Sequence, residues 1–100
     1  MGEVNRLMLK FAVPHGGEPS KIAMPPGSVI RQCGEQQGQI VMWAECPVVG
    51  IRWSAEVGPS VEREFAIVAT GQTFPDGASY IGTAIINGAS LVFHVVEITP

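Results

Sequence analysis

Residues 62–99 read EREFAIVAT (62–70), GQTFPDGAS (71–79), YIGTAII (80–86), NGAS (87–90) and LVFHVVEIT (91–99). Three short apolar runs are cut by segments rich in Gly, Pro, Asn and Asp. That punctuation predicts strand, loop, strand, turn, strand: an antiparallel meander. Strands are expected over Arg63–Thr70, Tyr80–Ile86 and Ser90–Thr99. Between the last two, Asn87-Gly88 is a strong hairpin signal, because both residues tolerate positive φ. In the final run Leu91, Phe93, Val95 and Glu97 face one way, and Val92, His94, Val96 and Ile98 the other. Both faces are mostly apolar. The run is therefore either a central strand covered on both sides or an edge strand covered by a partner.

The N-terminal two thirds follow the same grammar. Between Arg6 and Val13, Leu7, Leu9 and Phe11 alternate with Met8, Lys10 and Ala12, and a helix there would be stopped too early by Pro14 and Gly16-Gly17. Ser20–Met24 is a short strand ended by Pro25-Pro26-Gly27, in which Pro presets φ and Gly supplies the positive φ of a tight turn. Ser28–Glu35 and Gln39–Cys46 form a hairpin with Gly38 at the left-handed position. From Pro47 to Val61 the pattern is irregular. That segment holds either an extra strand around Ile51–Ala55 or an extended loop that packs Trp53 against the sheet. The count is seven or eight strands with little or no helix in a single domain, 1–100. The expected fold is all-β, a small antiparallel β-sandwich or partly open barrel.

Composition narrows the function classes. The chain is 46% hydrophobic and 15% charged, which excludes disorder. So few charges leave much neutral surface, and a homodimer or a partner-covered face is expected. The net charge is −3, with no basic stripe to neutralise phosphates, so duplex nucleic acid is not an expected partner. Cys33 and Cys46 form no CxxC, and with His15 and His94 they give no zinc spacing, so no metal or other cofactor is expected. A disulfide between them is geometrically possible on paired strands, but buried free thiols in a cytosolic protein are the preferred reading. No run approaches the roughly 20 apolar residues of a membrane span. The N-terminus lacks the apolar core and cleavage site of a leader, so a cytoplasmic location is expected.

Candidate chemistry falls in three places. The loop Gly71–Ser79, with Gln72, Thr73 and Asp76 and with Tyr80 at its exit, could cradle an anion or nucleotide on backbone N–H groups, though it lacks the lysine and following helix of a phosphate loop. Its plain reading is a strand connection turned by Pro75-Asp76-Gly77. Arg52, Trp53 and Arg63, with Trp43, combine the residue types that stack bases and form protein–protein hot spots. Trp43, between Met42 and Ala44, is expected in the core. His94 lies among apolar neighbours with Glu97 on the opposite strand face and with no nucleophile motif nearby, so it reads as structural. Glu62 and Glu64 share one strand face and read as a solvated rim. Enzymatic activity is not expected.

Four stretches carry a family resemblance: MPPGSVI, EQQGQIVMWAE, REFAIVATGQTFPDGASYIGT and LVFHVVE. Together they resemble a family of small phage and prophage proteins of about this length. Its members pair an "lp-G-a-i-l" strand with a "G-x-x-x-l/m-W-A" strand and end in "Y-i-G-T … l-V-F-H-V-f-E". The resemblance covers Ile22–Glu45 and Glu64–Glu97, and Thr70-Gly71, Tyr80–Thr83 and Leu91–Glu97 are its more specific part. The chain departs from the pattern in GIRWSAEVGPSV, which is longer than the usual acidic linker, and in GQTF, where a "GH-P" stretch is common. The histidine missing there carries no role over to this chain, and the family supplies no catalytic residues. The resemblance implies a non-enzymatic accessory protein that sequesters or blocks a host protein or small signalling nucleotide, counter-defence included. The alternative is a structural or virion-assembly module. On the first reading the residues expected to bind are Arg52, Trp53, Arg63, Gln72, Thr73, Asp76 and Tyr80, whereas the assembly module would dock by an apolar strand face.

Overall fold

A computed structural model describes residues 3–15, 17–86, 88 and 91–98. Its seven strands are β1 (Val4–Val13), β2 (Ser20–Met24), β3 (Val29–Gln36), β4 (Gln39–Val49), β5 (Val61–Ala69), β6 (Ser79–Ile86) and β7 (Leu91–Ile98), and no helix occurs among the described residues. They form two antiparallel sheets, one in the order β1-β4-β3 and the other β2-β5-β7-β6. The fold is all-β, as the punctuation of the sequence predicts.

The alternation in residues 6–13 is a strand. β1 pairs with β4 over ten residues without a break, from Val4↔Val49 to Val13↔Ile40. Leu7, Leu9, Phe11 and Val13 thereby share a face with Cys46, Ala44, Met42 and Ile40, the core residues of β4. The β3–β4 hairpin closes on Gln36↔Gln39. Both of its turn residues are left-handed, Gly38 at φ 81° and Gln37 at φ 53°. That geometry matches the right-handed twist of the flanking strands. The Glu35 carboxylate accepts from the Gly38 N–H at 2.5 Å and ties the turn down. Of the Asn87-Gly88 turn, Asn87 lies outside the described residues and Gly88 has φ 62°.

β7 is central, flanked by β5 and β6. Val95 and Val96, on opposite faces, are both fully buried. The main core joins the two sheets through Phe65, Met24, Ile40, Met42, Val95, Ala84 and Cys33. At one margin β3 and β6 run side by side without a ladder among the described residues. Gly82 is what lets them approach: a Cβ built there would stand 2.8 Å from Cys33 Sγ. At the opposite margin no ladder joins β1 and β2 among the described residues. Cys33 and Cys46 are buried free thiols. Burial pushes the Cys33 thiol pKa up from its ordinary value of 9.0.

One open alternative is decided and one expectation changes. No strand forms over Ile51–Ala55; the chain turns at Gly50 and again through 55–57 before Pro59. Trp43 is half-buried but lies on the outer face of its sheet, not in the core. It is paired between Lys10 and Gln32, and its ring rests 3.4 Å from where a Gly34 Cβ would be. Gly34 offers a flat seat on the strand, which a run-by-run reading of β4 cannot reveal.

Candidate functional site

The irregular segment after β4 is held by its own backbone. Ser54 O accepts from Gly58 N–H at 2.9 Å and from Val57 N–H at 3.4 Å. Trp53 Nε1–H donates to Pro59 O at 2.8 Å. With its polar atom satisfied, the indole packs inward, edge to face on Phe11 at 6.4 Å and against the cluster of Ala44, Cys46 and Val48. Gly58 makes room for it, since a Cβ there would fall 2.4 Å from Trp53 Cδ1. The alternative of a loop that packs Trp53 on the sheet is the one observed.

Beside this loop lies a groove of about 520 Å³, walled by Pro25, Pro26, Pro47, Trp53, Val57 and Pro59, with Arg52 at its edge. One wall is the β2–β3 turn. Ser28 closes that turn with its N–H and Oγ–H on Pro25 O, at 3.3 and 2.7 Å. Gly27, at φ 81°, brings it close against Pro47. Arg63 secures the same turn from behind: Nη1 donates to Ser28 O at 2.6 Å, while Nε and Nη2 donate to the two oxygens of Glu97. The hydrogen bond to Glu97 holds the Arg63 pKa above its ordinary value, against the pull of burial. Proline contributes no N–H to the groove and the Trp53 N–H is engaged. Arg52 has no acidic partner among the described residues, which makes it the groove's free cation.

A second cleft of about 270 Å³ sits on the outer face of the four-stranded sheet, between Val68, Thr70, Gln72, Phe74, Tyr80 and His94. Register brings His94 level with Val68 on one side and Thr83 on the other. Its Nε2 meets Thr70 Oγ1 at 2.9 Å and its Nδ1 meets Thr83 Oγ1 at 3.0 Å, and Thr83 is bonded in turn to the Tyr80 hydroxyl. Gln72 Oε1 accepts from Ala69 N–H at 2.7 Å and pins the start of the loop. The Pro75-Asp76-Gly77 turn closes with Ala78 N–H on Pro75 O at 3.2 Å.

The seven residues singled out from sequence therefore separate. Arg52 and Trp53 meet in the apolar groove. Gln72 and Tyr80 meet at the His94 cleft. Thr73 and Asp76 are exposed on the loop and do not line the cleft. Arg63 is committed to Glu97 and Ser28. The prolines of the groove and the threonines around His94 were not singled out; three of the prolines, at 25, 26 and 59, sit in turn and loop segments where proline ordinarily reads only as punctuation. Among the described residues no three His, Cys, Asp or Glu side chains converge on a metal-sized site. No helix among them is long and apolar enough to cross a membrane.

A family model matches residues 4–100, every strand and both clefts included. The chain belongs to the family described as a domain of unknown function, DUF7352. No curated protein matches this DUF7352 chain, and neither does any solved structure.

Proposed function

We propose that this DUF7352 domain is a non-enzymatic phage or prophage accessory protein. It acts in the bacterial cytoplasm by seizing an apolar segment of a host protein and blocking it, counter-defence being the favoured setting. The observation that supports this reading is the groove beside Trp53. Ligand sites of this kind have volumes of roughly 300–1,000 Å³ and apolar walls with few polar groups. Here proline and indole rings make much of the walls, and among the described residues Arg52 supplies the free cation. Trp and Arg are also the side chains that dominate protein–protein hot spots. A signalling nucleotide fits less well, because its phosphates and base edges would find a single cation and almost no donors.

Native mass spectrometry after purification from a bacterial host tests the reading, with Val57→Asp as the comparison. A host protein held by the native chain and released by Val57→Asp supports it. A retained mass of a few hundred daltons points instead to nucleotide sequestration. A partner that Val57→Asp holds equally well removes the groove from the interaction.

One observation favours a second reading, an assembly module. Ile85 and Val92 sit opposite each other on the outer face of the four-stranded sheet, and Ile85 is 54% exposed. A homodimer or a virion protein would cover that patch, and concentration-dependent association would reveal it.

A further inference from the structure

We propose that β1 is a docking edge, to which the partner adds an extended segment carrying alternate acidic and apolar side chains. This rests on the reading that the domain acts by binding a protein, but on a different surface from the groove.

An edge strand offers a row of unpaired N–H and C=O groups, and folded proteins normally guard such rows with short strands, bulges or neighbouring elements. Three of the four edges here are guarded. β2 has only five residues. β3 is bulged between Ile30 and Gln32, and β6 between Tyr80 and Gly82, and these two edges press against each other. β1 is different: ten residues in unbroken register with β4 on one side, and no ladder on the other among the described residues. It contains neither proline nor glycine. Its core-side residues Leu7, Leu9 and Phe11 remain only half-buried, so an added strand would complete their cover.

Charge selects the occupant. The outer face of this sheet carries Arg6, Lys10 and Arg31 but one carboxylate, Glu45, which Arg31 holds at 3.0 Å and Arg6 at 3.6 Å. Among the described residues Lys10 is bonded only to the neutral Gln36 amide. Within a chain of net charge −3, this face is basic. A second copy of β1 is disfavoured. Antiparallel pairing centred on Met8 sets Arg6 opposite Lys10 of the second copy. Centring on Leu7 or Leu9 brings Arg6 to Arg6, or Lys10 to Lys10, on the diagonal. A segment with carboxylates opposite Arg6 and Lys10 and apolar residues opposite Leu7, Leu9 and Phe11 satisfies both faces at once. Main-chain hydrogen bonds then supply affinity and the alternating side chains supply selectivity.

The test is NMR titration of the isotope-labelled chain at low salt with three capped ten-residue peptides. One alternates glutamate and valine, one alternates lysine and valine, and the third is the glutamate peptide with every backbone nitrogen methylated. The glutamate peptide is expected to shift amides of residues 4–13 and to bind about tenfold or more tighter than the lysine peptide. The methylated peptide is expected to lose binding. Arg6→Glu combined with Lys10→Glu should reverse the charge preference, which also reports that the variant is folded. Amide shifts confined to residues 27–28 and 50–58 would overturn the proposal while leaving the groove reading intact. Equal binding of the methylated peptide, a dimer that protects β1 and excludes the peptide, or no binding at millimolar peptide would each overturn it too.

Discussion

Arg63 of β5 and Glu97 of β7 meet fork to fork, Nε to Oε2 at 2.6 Å and Nη2 to Oε1 at 2.7 Å, on the core side of the four-stranded sheet. The remaining Nη1 reaches across to Ser28 O in the β2–β3 turn. One guanidinium thus ties two strands to the wall of the groove. Both side chains are largely removed from water, at 24% and 16% exposure.

Removing one member leaves the other partly buried and unpaired. Arg63→Met or Glu97→Gln should each cost about 2–3 kcal/mol. For a domain of this size that corresponds to a fall in Tm on the order of 10 °C or more. The double variant should cost far less than the sum. Urea denaturation of the four-member cycle measures the coupling, and additive losses would show that the pair does not act as a unit.

The seam between β3 and β6 depends on the bare Cα of Gly82. Gly82→Ala places a methyl group 2.8 Å from Cys33 Sγ and should destabilise by about 1–3 kcal/mol through overpacking. Combining it with Cys33→Ala removes the opposing sulfur, so the pair should cost less than the two single changes added together. Equal or greater cost would place the clash elsewhere.

The Cys33 thiol makes stability depend on alkaline pH in a definite direction. Its pKa is raised in the folded chain above the ordinary 9.0. Below about pH 9 both states hold the proton and this group gives no slope. Above that, the unfolded chain loses the proton first, so the unfolded state binds fewer protons and stability falls as pH rises towards the folded value. Denaturation midpoints compared from pH 8 to 10.5 should decline more steeply in the native chain than in Cys33→Ala. Parallel declines would contradict this.

Gly58 and Trp53 offer a probe of the groove wall. Gly58→Ala builds a methyl group 2.4 Å from Trp53 Cδ1 and should push the indole out towards water, with loss of its bond to Pro59 O. In a Trp43→Phe background the remaining tryptophan emission should shift to the red. Unchanged emission would mean that the loop yields and the ring stays.

The fold was legible wherever punctuation was strong. Gln36–Gly38 and Pro25-Pro26-Gly27 mark their turns through residues that need particular φ values, and the strands on either side follow. β1 is harder to read, because Met8 and Ala12 are apolar on the solvent side and blur the period of Leu7, Leu9 and Phe11. The placement of Trp43 depends on Gly34, a neighbour that the β3–β4 hairpin folds back beside it and that a reading of β4 alone does not include. The site divides in the same way. Arg52 and Trp53 are adjacent in the chain and can be read together. The opposite wall, Pro25-Pro26, arrives through tertiary contact, and Thr70, Thr83 and His94 are joined only by the register of three strands.

The order β2-β5-β7-β6 bears on how the domain is made. Synthesis proceeds from β1 towards β7, yet the seventh strand occupies the middle of its sheet and supplies Val95 and Val96 to both of its faces. Until it emerges, β5 lacks one neighbour and β6 has no ladder partner at all. A ribosome-bound chain that stops short of Leu91 therefore exposes two open strands at the place where the finished molecule is most enclosed. For this topology assembly waits on the seventh strand, and interrupted translation yields an adhesive fragment rather than a smaller folded unit.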